Sequence, residues 1–448
     1  LNLTSTPLGS LYGIITCPGD KSISQRVLII GALINDDMQI TGLLRGEDPL
    51  STMRALKQMG AGIDILNDQV IQVTQKSKHL SQPGSPLDLG NSGTGLRLML
   101  GMTAGLRLML GMTAGLGIGA TFCGDLSLSS RPMGRVIDPL QDMGAEIDSE
   151  EGMLPIHLHP SKLSDGFLYE LPVASAQVKS CILLAGLASQ KQVTVIEPVQ
   201  TRDHTERMLQ NFGAEISTQH DGKKNIISLD GSTSLKAKNY HVVGDISSAA
   251  FLIVGCLISN SKELTVRGVG MNPSRIGILA ALKDMGALIE ISNSRVESGE
   301  PIADLVVRPS KLKGIHLKGA IIPNIIDEIP ILAIAAAFAD GETLIEDAAE
   351  LRVKESDRLS AVSQGLSKLG VIHENLDDGI KIHGSSQTLH LDEPVKIDSF
   401  HDHRIAMSFL MAGLNCDQPV TVTQCDNIFT SFPNFLEATA SLGYKIEK

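Results

Sequence analysis

The densest chemistry in this chain lies at Leu351-Arg-Val-Lys-Glu-Ser-Asp-Arg358, where Lys354 and Arg358 stand four residues apart and Glu355 lies between them. Residues i and i+4 share a helix face, so this spacing predicts cation, carboxylate and cation on one short surface. Such a surface can hold an anion and pass a proton, although a solvated helix with internal ion pairs has the same composition. Asp327 tilts the reading toward chemistry: it heads the apolar run 329–339, where partial desolvation would tune a carboxylate for proton transfer. Lys21, Ser22 and Arg26 form a second set, with Arg26 one turn beyond Ser22, suited to gripping one anion. Asn91-Ser-Gly-Thr94 offers backbone amides, and Gly93 lets a ligand come close. Arg131, before Pro132, adds a cation, with a solvated loop arginine as the alternative. The string Gly19-Asp-Lys-Ser22 lacks the glycine spacing of a nucleotide phosphate loop, so ATP is not expected. His401-Asp-His-Arg404 has no third and fourth ligand at a recognisable spacing, so no metal is expected and Arg404 is preferred as an anion ligand. His157 and His159 alternate on a presumed strand and are expected at the surface.

These residues must be positioned by helix starts. Six polar clusters, 19–26, 90–97, 174–179, 244–248, 326–328 and 401–404, each precede a long apolar run and predict a helix N-terminus. Exposed amides and the positive dipole end would suit a multiply phosphorylated ligand; ordinary capping by Ser, Asp and Asn is the competing reading. Six similar stops follow: Met-Gly-Ala at 59–61, 143–145 and 285–287, Phe-Gly-Ala at 212–214, Leu-Gly-Val at 369–371 and Leu-Gly-Tyr at 442–444. Each glycine would end a helix in the left-handed conformation before a strand. Their spacings of 84, 69, 73, 84 and 73 residues exceed the roughly 20–50 of solenoid repeats, so the chain is predicted to be six copies of a small α/β module. In the first copy Ser22–Leu33 is predicted helical, 37–42 extended, and 49–60 a second helix capped by Asp48; proline-led second helices are predicted after Pro132, Pro273 and Pro433. Three modules per domain place the boundary near Gly244, giving 19–243 as one domain and 1–18 with 244–448 as the other; the strand Leu11–Thr16 belongs to the second.

Composition narrows the function. The chain has 448 residues, 42% of them hydrophobic, enough for two cores. Net charge is −12 without a Lys/Arg run, which argues against nucleic-acid partners. Six scattered cysteines without C-x-x-C spacing and no basic leader predict a reduced cytoplasmic protein, and no segment predicts a membrane span. Residues 95–104 recur identically at 105–114, which points to a recent or artificial duplication, and Arg97 rather than Arg107 is expected to keep the original place.

Pro18-Gly-Asp-Lys-Ser-Ile-Ser-Gln-Arg26, Gly90-Asn-Ser-Gly-Thr94, Arg131-Pro-Met133, Ala174-Ser-Ala-Gln177, Arg352-Val-Lys-Glu-Ser-Asp-Arg-Leu359 and Asp402-His-Arg404 together resemble the 5-enolpyruvylshikimate-3-phosphate synthase family over essentially the whole chain. The resemblance implies a two-domain inside-out α/β barrel of six βαβαββ repeats, three per domain, with the active site in the interdomain cleft. It implies transfer of the enolpyruvyl group of phosphoenolpyruvate to the 5-hydroxyl of shikimate 3-phosphate with release of phosphate, without metal or organic cofactor, by a cytoplasmic monomer with no nucleic-acid or membrane partner. Shikimate 3-phosphate would be held by Lys21, Ser22, Arg26, Ser175, Gln177, Asp327 and Lys354, with Arg202 sharing the contact as in the divergent branch of the family. Phosphoenolpyruvate would be held by Lys21, Gly93, Arg131, Gln177, Arg358 and Arg404. Asp327 would take the hydroxyl proton, Glu355 would protonate the methylene carbon, and Lys21 would assist. The six cations Lys21, Arg26, Arg131, Lys354, Arg358 and Arg404 would nearly balance the charge of both substrates. Gly93 would leave room for glyphosate, while Thr430 stands where many relatives have a lysine. Two other readings are a non-catalytic binding protein on the same scaffold and the related transferase acting on UDP-N-acetylglucosamine, whose usual cysteine is not matched before Arg131-Pro132.

Overall fold

The computed structural model describes residues 1–74, 80–106, 117–222 and 224–448. The chain divides into two compact units. One comprises Gly19–Val242 with Glu297–Glu300; the other comprises Leu1–Pro18, Val243–Val296 and Pro301–Lys448. Among the described residues there are six four-stranded sheets, three in each unit.

The sheets share one construction. Leu87–Asp88 pairs in parallel with Ala120–Cys123, which pairs antiparallel with Ile156–His159, and Glu146–Asp148 closes the edge antiparallel. Period-two alternation sets the faces: Ile156 and Leu158 are buried while His157 and His159 face out. Two sheets of the second unit borrow strands from the chain start. Leu3–Ser5 lies between Val420–Thr423 and Ile446–Glu447, and Gly13–Thr16 runs parallel to Leu264–Gly270. The strand expected over Leu11–Thr16 starts at Gly13, because Gly13 takes φ +115° and the Leu11 N–H is held by Ser261 Oγ at 2.7 Å.

All six stop glycines adopt positive φ, between 70° and 106°. In every copy the next residue donates its N–H to the carbonyl five residues back: Ala61 to Leu56, Ala145 to Leu140, Ala214 to Leu209, Ala287 to Leu282, Val371 to Leu366 and Tyr444 to Thr439, at 2.8–3.0 Å. This is a Schellman closure, which satisfies a terminal carbonyl and turns the chain toward the following strand.

The six central helices are Lys21–Gly31, Gly93–Gly105, Ala176–Ser189, Ile246–Ile258, Ile329–Ala337 and His403–Ala412. Five are capped by a side chain: Asp20, Ser92, Ser175, Asp245 and Asp402 each accept a backbone N–H of the first turn. Every residue of Ile246–Ile258 and Ile329–Ala337 is buried, and with His403–Ala412 they form the centre of the second unit's core. In the first unit Gly93–Gly105 lies tightly on Ala176–Ser189. A Cβ at Gly101 would lie 2.2 Å from the Cys181 carbonyl oxygen, and one at Gly105 would lie 2.3 Å from that of Ala185.

The second helices start differently from expectation. The helix predicted over 49–60 runs Glu47–Gln58 with Gly46 as N-cap, so Asp48 sits inside the first turn. Its carboxylate is used elsewhere, on Lys21. Pro132, Pro273 and Pro433 precede their helices, Gly134–Asp142, Gly277–Asp284 and Phe435–Ser441, by at least two residues. After Asn272 the reason is visible: its Oδ1 accepts the Ser274 N–H at 2.9 Å, a local turn that competes with helix initiation.

The first copy of the repeated decapeptide, 95–104, fills the helix Gly93–Gly105. Of the second copy, only Gly105 and Leu106 belong to the described residues, and Arg107 lies outside them. Among the described residues no single helix is long and apolar enough to cross a membrane.

Candidate active site

In the first unit, three helix starts converge through their side chains. Lys21 opens its helix with Nζ 3.0 Å from Asp48 Oδ2, and Ser22 follows half-buried. Arg26, one turn on, is only 2% exposed. Its Nε donates to Thr205 Oγ1 at 2.8 Å, Nη1 to the Ser22 carbonyl at 3.0 Å, and Nη2 to Ser180 Oγ at 3.1 Å. Those two hydroxyls are themselves 2.7 Å apart. Beside them Lys179 Nζ lies 2.6 Å from Glu206 Oε1 and 3.1 Å from Glu197 Oε2, all three buried. Burial alone would lower the Lys179 pKa, but Glu206 and Glu197 more than offset it and raise it. Burial pushes Glu206 above the usual carboxylate range, against the pull of Lys179.

The 91–94 turn is tied on both sides. Gln25 Nε2 donates to Ser92 Oγ, which also accepts the Gly95 N–H at 3.0 Å. Arg131 Nη2 donates to Asn91 Oδ1 at 2.6 Å and to Ser127 Oγ at 3.0 Å; it is half-buried and is not the solvated loop arginine of the alternative reading. Gln177 Nε2 donates to Thr94 Oγ1 at 2.8 Å, and its Oε1 accepts Arg97 Nη1 at 2.6 Å. A Cβ on Gly93 would lie 3.0 Å from Arg97 Nη1 and 3.3 Å from Arg131 Nη1. Gly93 therefore holds open the space between two guanidiniums. Ser175 caps the third helix, and Arg202 is half-buried between the strand Gln192–Glu197 and the helix His204–Asn211.

In the second unit Arg358 is the hub. It is 1% exposed and its guanidinium meets three carboxylates: Nε to Asp402 Oδ2 at 2.7 Å, Nη1 to Asp327 Oδ1 at 3.2 Å, and Nη2 to Glu355 Oε2 at 2.5 Å. Burial alone would lower its pKa; Asp402, Glu355 and Asp327 reverse this and raise it, so it stays charged. Arg404 Nη1 donates to the Asp327 carbonyl at 3.0 Å and lies 3.8 Å from Glu328 Oε1. Lys354 is half-buried, and desolvation, opposed by Asp327 and reinforced by Arg358, holds its pKa below the ordinary lysine value.

One expectation is corrected here. Lys354, Glu355 and Arg358 do not share a helix face: the helix begins at Arg358 behind the cap Asp357, and Glu355 reaches Arg358 from the preceding turn. Lys21, Arg358 and Arg404 already face Asp48, Asp327, Glu328, Glu355 and Asp402, because a buried cluster of like charge would carry a large desolvation cost. The sequence offered no signal for Thr205 or Ser180 as partners, whereas Arg97, Lys179 and Asp402 stand inside the polar clusters and Asp48 was expected only as a cap. Thr430 Oγ1 donates to the Asn427 carbonyl at 2.7 Å. Cys123 is half-buried, and burial together with Asp88 pushes its thiol away from the reactive thiolate.

A six-sheet, two-unit α/β chain with charged groups at its helix starts defines the enolpyruvyl-transferase type of fold. The enolpyruvyl transferase NikO from Streptomyces tendae matches with a TM-score of 0.76 over 99% of this chain and 98% of that one, and at 17% identity the likeness shows the fold alone. Residues 6–439 match the family model for EPSP synthase (3-phosphoshikimate 1-carboxyvinyltransferase), and the chain belongs to that family. Relatives named 3-phosphoshikimate 1-carboxyvinyltransferase include one from Parvibaculum lavamentivorans, 48% identical over 99% of this chain and 96% of its own length. Another, from Ruthia magnifica, is 46% identical over 98% and 97%. The solved EPSP synthase from Acinetobacter baumannii matches with a TM-score of 0.86 at 42% identity, over 100% and 99%.

Proposed function

We infer that the chain transfers the carboxyvinyl group of phosphoenolpyruvate to the 5-hydroxyl of shikimate 3-phosphate. The observation that carries the reading, beside family membership, is the Arg358 fork: one rigid, permanently charged guanidinium holds Asp327 at 3.2 Å and Glu355 at 2.5 Å. A group that takes a proton and a group that gives one are thus fixed relative to each other before substrate arrives. In the proposed reaction Asp327 accepts the 5-hydroxyl proton as that oxygen bonds to C2 of phosphoenolpyruvate, while Glu355 delivers a proton to C3. The tetrahedral intermediate then returns a C3 proton to the Glu355 carboxylate; the C3–H electron pair forms the C2=C3 bond as the C2–O bond breaks and inorganic phosphate leaves. Lys21, Ser22, Arg26, Ser175, Gln177, Arg202 and Lys354 are assigned to shikimate 3-phosphate, and Lys21, Gly93, Arg131, Gln177, Arg358 and Arg404 to phosphoenolpyruvate. Arginine suits the second set because its planar fork matches carboxylate and phosphate oxygens.

The proposal extends to two domains, 19–243 and 1–18 with 244–448, acting as a cytoplasmic monomer, which sedimentation would test. The function is tested by phosphate release from the two substrates. Asp327→Ala should lower kcat by about 10²- to 10⁴-fold, the usual worth of a positioned acid–base group. Release unchanged by Asp327→Ala would overturn its role, and no release from the unaltered chain would overturn the activity.

A further inference from the structure

Glu328 is a carboxylate in an unusual place. It is 1% exposed at the head of the apolar helix Ile329–Ala337, where it is the N-cap residue yet makes no side-chain capping bond. Its side chain turns to two other helix starts instead. Ser247 Oγ, on Ile246–Ile258, donates to Glu328 Oε1, and Arg404 Nη1, on His403–Ala412, lies 3.8 Å from the same oxygen. Behind Ser247 stands Arg275, buried, with Nη2 donating to Ser247 Oγ at 2.8 Å and to Asp245 Oδ1 at 3.2 Å. On its other side Arg404 is steadied by the Asp327 carbonyl at 3.0 Å and faces Asp327 Oδ2 at 3.9 Å. A buried line thus runs from Arg275 through Ser247 and Glu328 to Arg404.

We propose that Glu328 is a positioning residue that fixes the Arg404 guanidinium for the carboxylate of the three-carbon substrate. The inference rests on the reading of Arg404 given above. Arginine has several rotatable bonds, and a guanidinium held in place beforehand does not lose that freedom on binding. Ser247, itself held by Arg275, in turn anchors Glu328 Oε1, which a capping role would not require. The side chain acts through Arg404 and touches neither substrate.

Steady-state kinetics of Glu328→Gln, Ser247→Ala, Arg404→Ala and the double variant Glu328→Gln/Arg404→Ala, each with a melting temperature, test this. Glu328→Gln keeps shape and an acceptor for Ser247 but removes the charge. It should raise KM for phosphoenolpyruvate about tenfold, because a guanidinium no longer held in place must be ordered on binding, while kcat and KM for shikimate 3-phosphate change little. Ser247→Ala should shift the same constant in the same direction by less, and it serves if Glu328→Gln does not fold. In the Arg404→Ala background Glu328→Gln should add nothing. An unchanged KM in Glu328→Gln, or the same increase with and without Arg404, would overturn the positioning role. An unchanged KM for phosphoenolpyruvate in Arg404→Ala would overturn the reading of Arg404 itself.

Discussion

Lys354 sits beside the crowded Arg358 fork, and its chemistry is set by that neighbourhood. Desolvation lowers its pKa, Asp327 opposes the shift and Arg358 adds to it. As pH rises through this lowered pKa the ammonium loses its charge, so kcat/KM for shikimate 3-phosphate should fall at a lower pH than an ordinary lysine, with its usual 10.5, would allow. Lys354→Arg stays charged over the whole range and should move that alkaline limb upward; a limb that does not move would place the titration on another group. At this scale the members of the charge cluster around Arg358 were legible, since Lys354, Glu355, Arg358 and Asp327 stand out by type and spacing. Their partners were not: Asp402 reaches Arg358 across 44 residues and Thr205 reaches Arg26 across 179, and no spacing pattern reports such a meeting.

Helices in this chain are placed by their ends and by small residues on their faces. The six stops were legible because recurrence singled out glycines that take positive φ. The starts of the second helices were missed because local turns, such as Asn272 on Ser274, compete with proline as an initiator. Gly101 was also missed; one glycine inside an apolar run looks like any other until the opposing helix is in place. A methyl there would meet the Cys181 carbonyl at 2.2 Å and must push Gly93–Gly105 away from Ala176–Ser189. Gly101→Ala should therefore destabilise the protein by about 1–3 kcal/mol, read as a lower urea midpoint at unchanged slope. A midpoint equal to the parent's would show that the helices can part at no cost.

At the scale of the whole molecule, six modules recur with two strands donated by the chain start. The decapeptide repeat tests how closed that plan is. Gly105-Leu106 recurs as Gly115-Leu116, so deleting 105–114 yields the same chain as deleting 107–116, the residues outside the described ones. Helix Gly93–Gly105, with Arg97 on Gln177, lies wholly within the described residues. The deletion variant should retain phosphate release and melt no lower than the parent; lost turnover would mean that the second copy contributes to the site. The sequence by itself determined the number of modules, where their central helices begin and where their second helices end. Capping, glycine φ and apolar period are local properties, and they can be seen in a few consecutive residues. Only the tertiary structure decided which charge meets which: Lys21 with Asp48, Lys179 with Glu197 and Glu206, Arg358 with Asp402, and Arg404 with Glu328. Such pairings depend on through-space distance and on how much water is excluded, and both arise only when separate helices and strands are packed together.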